Sequence, residues 1–573
     1  MVSKEWIVRK HDAAKVNELA GEVGVRPLIA ALLIARGYDT PSRVRKFLEP
    51  SLEDMHDPHL LKGMRDAVRR IETAILRREK ILIWGDYDVD GTTGTVLLRK
   101  AIDILGGTSV YHVPDRFTEG YGLNTAALDA AKADDVSLVI TVDCGTTNVS
   151  EITHARDIGL DVIVTDHHLP KAGEDLPPAV AIINPNQLGC PYPEKNLAGV
   201  GVALKLAQAL LERKGFDKEV PQFLKIAAIG TVSDVMNLTG ENRAIVALGL
   251  KDLAKTDNVG LKALMEVADC RSEMTSYMIG FRIGPRINAA GRMDVAKHIV
   301  ELLEEQNFAK ARKLAGILDS RNRERQRSQA DITEQALFET ESHDGKNFIV
   351  VAGEGWHKGV VGLASSRIAE KLFRPTIVFS INADGSAQGS ARSIPGFHLL
   401  EALNECSDLF EKYGGHAAAA GMTAKLSDIE EIRTRLNEYA APLVANLKPV
   451  LKIDALVQPS TLSLGLFDEL SFFEPFGAGN PRPIFLTKGL TLCSEPLVMK
   501  DKHLKLRLQS REGLRFEAVW WDGVERSQGQ TLSPDVGIEI AYTLEANSFQ
   551  GKRRLQLVVE DLRADNFTDA DDQ

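Results

Sequence analysis

Paired cysteines are missing from this chain. The five present, Cys144, Cys190, Cys270, Cys406 and Cys493, are odd in number and scattered, and none forms a CxxC pair. That argues against a disulfide framework or a zinc ribbon and fits a reducing cytoplasm. Long apolar runs are also missing. The opening MVSKEWIVRKHD has no apolar leader segment, and the longest run near it, residues 28–35, is well short of the roughly 20 residues that a membrane span needs. The expectation is therefore a cytoplasmic protein with no membrane association. There is no GxSxG elbow and no Ser-His-Asp set, so a side-chain nucleophile is not indicated. Finally, there is no excess of positive charge. A net charge of −11 counts mildly against nucleic acid, whose binders are usually basic. But net charge is not local field, and acids that ligate metal are counted as −1 although an ion would offset them. The charge decides neither way.

What is present is a chain of 573 residues, 44% hydrophobic and 26% charged. That is a soluble globular composition, too long for one core, with about three or four domains as the prior. Its organising stretch is ILIWGDYDVDGTTG, residues 81–94. A run of apolar residues ends in Asp86, Asp88 and Asp90, and small residues then open a helix. On extended backbone, alternate side chains share one face, so three carboxylates would meet at the strand's exit. Like charges that close repel unless a cation lies between them, which points to a hard divalent metal. The same letters also describe a polar, Gly-terminated strand-to-helix loop. Two later stretches weigh against that reading. LVITVD (138–143) ends in Asp143, and VIVTDHH (162–168) ends in Asp166, His167 and His168. Open parallel α/β sheets bind ligands outside the carboxyl ends of their strands. Three strands delivering acids or imidazoles there make one convergent site.

The remaining pattern supports this architecture. Residues before about 81 read as helices over 26–36, 41–47 and 65–78. Strands at 81–86, 109–113, 138–143 and 162–165 then alternate with helices at 92–105, 125–133 and 148–158, a rhythm that predicts a doubly wound, mainly parallel sheet. Residues 181–184 read as a further short strand and 197–214 as a helix. AAIGTVSD (227–234) ends an apolar run on Asp234, which by itself reads as a helix cap. A long helical stretch over 307–340 carries Arg321, Arg323, Arg325 and Arg327, either a solvated face or a phosphate-contacting one. A second, smaller α/β unit has strands near 348 and 376–379 around a helix at 360–371. Beyond about 452, short alternating segments at 503–508, 515–521, 536–544 and 553–559 suit a small Greek-key barrel of OB type. Lys552 and Arg554 at its Gly-led turn would suit single-stranded DNA, or any exposed strand. Asp565, Asp569, Asp571 and Asp572 make an acidic, disordered end.

GDYDVDG, VDCG and TDHH, in this order, resemble the first motifs of the DHH phosphoesterase superfamily. Further segments narrow the likeness: VPDRFTEGYGLN (113–124), INPN (183–186), LAGVGVA (197–203), GTVSDV (230–235), GPRINAAGRMD (284–294), WHKGVVG (356–362), GSARSIPG (389–396) and GGHAAAAG (414–421). Together they resemble the bacterial RecJ-type single-strand-specific DNA exonucleases over nearly the whole chain. One departure is GSARS, where the family pattern has GSGRS; the serine and arginine stay in place.

The resemblance implies a helical region at 1–80, a DHH catalytic domain at 81–306, a connecting helix at 307–345, a DHHA1 domain at 346–446, an OB-fold-like domain at 450–563 and a tail at 564–573. It implies two Mn²⁺ or Mg²⁺ ions, with Asp88 serving one, Asp90, His167 and Asp234 the other, and Asp143 bridging both. Asp86 would complete the first, and His168 would stand behind the ligands or donate to the scissile phosphate. Arg282, Arg286 and Arg292, with Asn288 between them, surround a Gly- and Ala-rich loop whose small residues would let the DNA backbone approach the guanidinium forks, the alternative being surface ion pairs. Arg116, Ser390 and Arg392, with His416 following, would hold a terminal phosphate across a cleft between domains. The implied activity is a 5′-to-3′ exonuclease releasing 5′-mononucleotides from single-stranded DNA in recombination and repair, with a helicase and a single-strand-binding protein as partners. The alternatives are an oligonucleotide or cyclic-dinucleotide phosphodiesterase, or a non-catalytic DNA-binding scaffold. Scaffold relatives lose metal ligands, whereas every expected acid and histidine is present here.

Overall fold

Strands that are apolar on both sides must be covered on both sides, and this requirement sets the architecture. The structure, a computed structural model, describes residues 3–171, 173, 175–270, 273–292, 296–341, 346–527, 532–534, 536–549 and 551–565. Asp569, Asp571 and Asp572 of the acidic end, and Asp294 of the GPRINAAGRMD motif, lie outside the described residues. The chain divides into two units. The first comprises Thr40–Arg323 with Phe472–Pro481; the second comprises Met1–Asp39, Glu324–Ser471 and Arg482–Gln573.

The first unit is built on five parallel strands: β1 (Lys80–Gly85), β2 (Thr108–His112), β3 (Val136–Val142), β4 (Asp161–Thr165) and β5 (Ala181–Ile183). Their order across the sheet is β2-β1-β3-β4-β5. Ile81, Ile83, Leu138 and Ile140 enter one core with helices α1 (Val89–Ile104), α4 (Gly199–Arg213) and α5 (Leu224–Ser233). Leu82, Trp84 and Val139 enter another with helices α2 (Thr125–Ala133) and α3 (Val149–Asp157). Successive strand residues thus serve opposite faces, and the sheet is doubly wound as predicted. The unit continues through a π-helical turn (Ile279–Ile283) into α6 (Gly284–Arg292). GPRINAAGR is therefore helix, not the expected loop. Its small residues serve close packing: a Cβ on Gly284 would lie 2.7 Å from Ser233 Oγ, and Ala289 and Ala290 are buried.

The long helix α7 (Phe308–Glu341) leads into the second unit. There β6 (Ile349–Glu354), helix α8 (Val361–Leu372), β7 (Thr376–Ile381), β8 (Ser386–Arg392), β9 (Phe410–Gly415) and β10 (Ala419–Lys425) form the smaller α/β domain. Its sheet order is β9-β10-β8-β7-β6, with only β6 and β7 parallel. The C-terminal strands are β11 (Phe485–Leu492), β12 (His503–Ser510), β13 (Arg515–Trp520), β14 (Ile538–Phe549) and β15 (Lys552–Ala564). Pairings β11–β14, β14–β15, β15–β13, β13–β12 and β12–β11 close them into a barrel.

Two features depart from the sequence reading. A strand at Glu5–Val8 pairs with Val450–Ile453, where only helices were expected before residue 81. It is too short to signal itself and exists because of a partner far along the chain. In addition, residues 472–481 return to the first unit. Buried Arg243 donates to the carbonyls of Phe473 at 3.0 Å and Glu474 at 2.8 Å, and Leu238 N–H to that of Ala478 at 2.7 Å. Among the described residues, no helix is long and apolar enough to cross a membrane, and all five cysteines are free.

Candidate metal centre

The carboxyl ends of β1, β3 and β4 deliver the expected residues to one place, but not through extended alternation. β1 stops at Gly85, and only Asp86 follows it directly. Asp88 caps α1, accepting from Asp90 N–H at 2.8 Å and Gly91 N–H at 3.1 Å, while Asp90 lies in the helix's first turn. Orphan amide donors at a helix start favour this acid as a cap. The turn back is tight: a Cβ on Gly91 would lie 2.4 Å from Asp86 N. Asp90 reaches a second helix start, accepting from Gly199 N–H at 2.6 Å and Val200 N–H at 2.7 Å, where the positive end of α4 steadies its charge. Asp143 has φ of 63°, a left-handed conformation costly for most residues but tolerated by Asp and Asn. Gly199 leaves it room, since a Cβ there would lie 2.6 Å from Asp143 Cβ. Asp234 ends α5 as its C-cap.

Three groups of ligand atoms lie within 4.8 Å of one another: Asp86, Asp88 and Asp143; Asp90, His167 and Asp234; and Asp143, His167 and His168. Asp86 Oδ1, Asp143 Oδ1 and Asp234 Oδ2 are buried without a hydrogen-bond partner. His167 Nε2 stands 3.1 Å from Asp143 Oδ1, 3.6 Å from Asp234 Oδ2 and 3.8 Å from Asp90 Oδ2. Burial, then the charge of Asp88, raises Asp86 to about 8 and Asp234 to about 7. Burial and neighbouring aspartates also hold Asp90 and Asp143 well above the usual carboxylate range. Burial, then His168, lowers His167 to about 4, so at neutral pH its ring is uncharged and can offer a lone pair. Orphaned oxygens and a neutral imidazole crowded at such distances fit divalent cations. Mixed oxygen and nitrogen donors suit Mn²⁺ as well as Mg²⁺.

Further residues hold this constellation. Asp166 accepts from Thr146 N–H at 2.9 Å, His167 N–H at 2.7 Å and His168 N–H at 3.1 Å, and pairs with His168 Nδ1 at 2.8 Å. Burial alone would raise Asp166, but the hydrogen bonds and charge of His168, with the Thr146 bond, outweigh it and hold it at about 2. Burial alone would lower His168, but Asp166 outweighs it and raises that pKa. Asn184 Nδ2 donates to His168 O at 2.8 Å and Asn186 Nδ2 to His167 O at 2.7 Å. Tyr121 hydroxyl donates to Asp143 O at 3.1 Å and lies 3.2 Å from His168 Nδ1. The sequence reading gave none of Tyr121, Asn184 and Asn186 a role. The only signal was their place in VPDRFTEGYGLN and INPN, and chain spacing does not place them beside the histidines.

Comparison with known proteins shows the family. Residues 80–231 match the DHH family, N-terminal domain; residues 345–441 match the DHHA1 domain; and residues 453–561 match the RecJ OB domain. The single-stranded-DNA-specific exonuclease RecJ of Bacillus subtilis is 39% identical over 563 residues, covering 97% of this chain and 70% of that protein. The RecJ of Escherichia coli is 34% identical over 582 residues, covering 97% and 98%. This chain belongs to the RecJ family. The crystal structure of RecJ in complex with Mn²⁺ from Thermus thermophilus matches with a TM-score of 0.83 at 31% identity, covering 98% of this chain and 79% of that one. The same RecJ with Mg²⁺ matches with a TM-score of 0.77, covering 98% and 78%. These neighbours carry the two ions that the donor set fits.

The basic residues that the RecJ resemblance assigned to DNA differ in their setting. Arg116 lies over the Tyr87 ring at 5.0 Å, beside Asp86, whose carboxylate its charge favours. Arg292 ends α6 and acts on Tyr87 as well, because Gly291 lets that helix approach: a Cβ there would lie 2.3 Å from Tyr87 O. Arg286 instead pairs with Asp319 at 3.0 Å and donates to Arg282 O at 2.6 Å. Asp319, which also takes Arg323 at 2.8 Å, is itself buried, so Arg286 fastens α6 to α7. Arg282 donates to Asp269 O at 2.7 Å, and Asn288 is half-buried. In the second unit Arg392 donates to Ser390 Oγ at 3.2 Å on β8. Gly362 packs there, its added Cβ falling 2.8 Å from Ser390 Oγ and 3.4 Å from an Arg392 nitrogen. His416 is exposed in the turn after β9, accepting from Ala418 N–H at 3.2 Å.

Proposed function

We propose that this chain is a single-stranded-DNA-specific exonuclease that works 5′-to-3′ and releases 5′-mononucleotides by hydrolysis at a pair of divalent ions. The observation that carries the reading is the set of orphaned carboxylate oxygens of Asp86, Asp143 and Asp234, in ligand groups linked to one another through Asp143 and His167. Asp86, Asp88 and Asp143 would hold one ion, and Asp90, His167 and Asp234 with Asp143 the other. Cations so held supply Lewis acidity to a phosphodiester and lower the pKa of water. The rest falls to the chain. The α4 amides fix Asp90, and Asn184 and Asn186 fix the main chain of the two histidines. Asp166 binds His168 at Nδ1 and favours its protonated form, which leaves Nε2 to donate to the scissile phosphate. Arg116 and Arg292, both beside Tyr87, supply positive charge for the strand next to the acids. Ser390 and Arg392 take a terminal 5′-phosphate, giving the enzyme its polarity. Such an enzyme acts in recombination and repair in the cytoplasm, behind a helicase and beside single-strand-binding protein.

End-labelled single- and double-stranded DNA, digested with Mn²⁺, with Mg²⁺ and with chelator, tests the reading. Mononucleotides should accumulate from 5′ ends of single strands only, and only with metal. Release from 3′ ends, or turnover in chelator, would overturn it.

A further inference from the structure

An exposed aromatic pair stands on the helix that carries the GPRINAAGR motif. Tyr277 and Phe281 are 55% and 68% exposed, and their rings stack at 4.6 Å between centroids with planes 26° apart. Contiguous exposed apolar surface marks interaction sites, whereas apolar residues exposed singly do not. They flank and enter the π-helical turn Ile279–Ile283, an irregularity common at functional sites. The opposite side of the turn is committed to the core: Ile279 and Ile283 are buried, and Gly280 and Gly284 face Val232 and Ser233 of α5, just before Asp234.

Past the exposed Tyr277 and Phe281, the helix continues through the half-buried Pro285 and Asn288. It ends at Arg292, beside Tyr87 in the loop of metal-binding acids. At a rise of about 1.5 Å per residue, Phe281 lies roughly 16 Å along the axis from Arg292. This helical segment thus connects the acids to a pair of rings several nucleotides away. We propose that Tyr277 and Phe281 form a base-stacking platform that holds the single strand beyond the reacting phosphate and contributes to preference for unpaired DNA. Bases in a duplex have their faces covered by neighbours, whereas an unpaired strand can lay a base on an aromatic ring. This inference rests on the nuclease reading above and adds to it a grip on bases, where that reading supplies only grips on phosphates.

The test uses the full chain, a Tyr277→Ala/Phe281→Ala variant, and a Phe281→Leu variant that keeps apolar bulk without a ring. Each is assayed on a normal single strand and on one of equal length made abasic beyond its first few nucleotides. Base stacking on one aromatic residue corresponds to about five- to a hundredfold in affinity. The double variant should therefore raise KM on the normal strand by that factor with kcat unchanged. It should show no further loss on the abasic strand, on which wild type is already impaired. Phe281→Leu should fall between, and Phe281→Trp should restore wild-type KM. The Mn²⁺-induced rise in Tm should be the same in all. Equal losses on both strands, or no loss on either, would overturn the platform while leaving the nuclease reading standing. A wild type that degrades no single-stranded DNA would overturn both.

Discussion

Asp143→Asn is the substitution that tests the metal centre most sharply, because it should damage activity and improve stability together. Asparagine keeps the shape of the side chain and tolerates the left-handed backbone at this position, φ of 63°, so the fold is kept. The variant loses the carboxylate common to two of the three ligand groups. Losing one stabiliser of transition-state charge typically costs about 100- to 1,000-fold in turnover, and losing a metal ligand should cost at least as much. The stability effect follows from linkage. Asp86, at about 8, and Asp234, at about 7, have folded-state values above those of the unfolded chain, and burial and its neighbours push Asp143 the same way. Across the window from roughly pH 4 to pH 8 the folded state therefore binds more protons than the unfolded one, and stability falls as pH rises. The contribution is fully favourable only below the unfolded values near 4. Each pKa unit of such a shift corresponds to about 1.4 kcal/mol. Replacing Asp143, whose ionised form burial and its neighbours disfavour, should thus stabilise the metal-free protein toward pH 8. Thermal melts in chelator from pH 5 to 8.5, repeated with Mn²⁺, read this directly. Wild type should lose stability with pH in chelator and regain it with Mn²⁺; the variant should show a flatter profile and a smaller gain. Metal-free wild type that grows more stable toward pH 8, or a variant within tenfold of normal turnover, would refute the reasoning.

Three other outcomes are expected. Arg392→Ala should weaken binding of 5′-phosphorylated ends by about ten- to a hundredfold, since charge-assisted hydrogen bonds are worth roughly 1.5–3 kcal/mol each; losses of the same size on 5′-hydroxyl ends would assign Arg392 to the strand in general. Binding should weaken with salt, with a slope of about −0.7 in log K against log salt for each phosphate neutralised, and a flat profile would instead favour a small-molecule phosphodiesterase. Asp166→Asn should remove the partner that raises His168, so the alkaline limb of the pH–rate profile should move to lower pH; an unmoved limb would take His168 out of the proton-donating role.

Much of this centre was legible in one dimension because its ligands follow apolar strands. ILIWGD, LVITVD and VIVTDHH announce their own ends, and the parallel-sheet rule places those ends together. Local geometry was less legible. Asp86, Asp88 and Asp90 alternate in sequence as they would on a strand, yet Asp88 is a helix cap and Asp90 lies within the first turn. The capping bonds to Asp90 and Gly91 amides overrode extension. The GPRINAAGR segment carries Gly, Pro and Ala in a pattern that reads as loop, and it is helix because α5 and Tyr87 demand close approach from residues without bulk. Arg286 looked like a phosphate ligand in isolation, but a buried carboxylate on α7 claims its guanidinium.

By itself the sequence determined the family, the alternation of strands and helices, and which acids and histidines meet at the candidate centre, since each is written in residues that lie next to one another in the chain. Tertiary structure decided what depends on partners far apart. It brought Asn184 and Asn186 under the two histidines, set Asp90 on the amides of α4, and returned residues 472–481 to the first unit. It also placed a stacked aromatic pair on the helical segment that leads to the acids. Hydrogen bonds and packing are satisfied in space, and local pattern carries no record of which distant group will satisfy them.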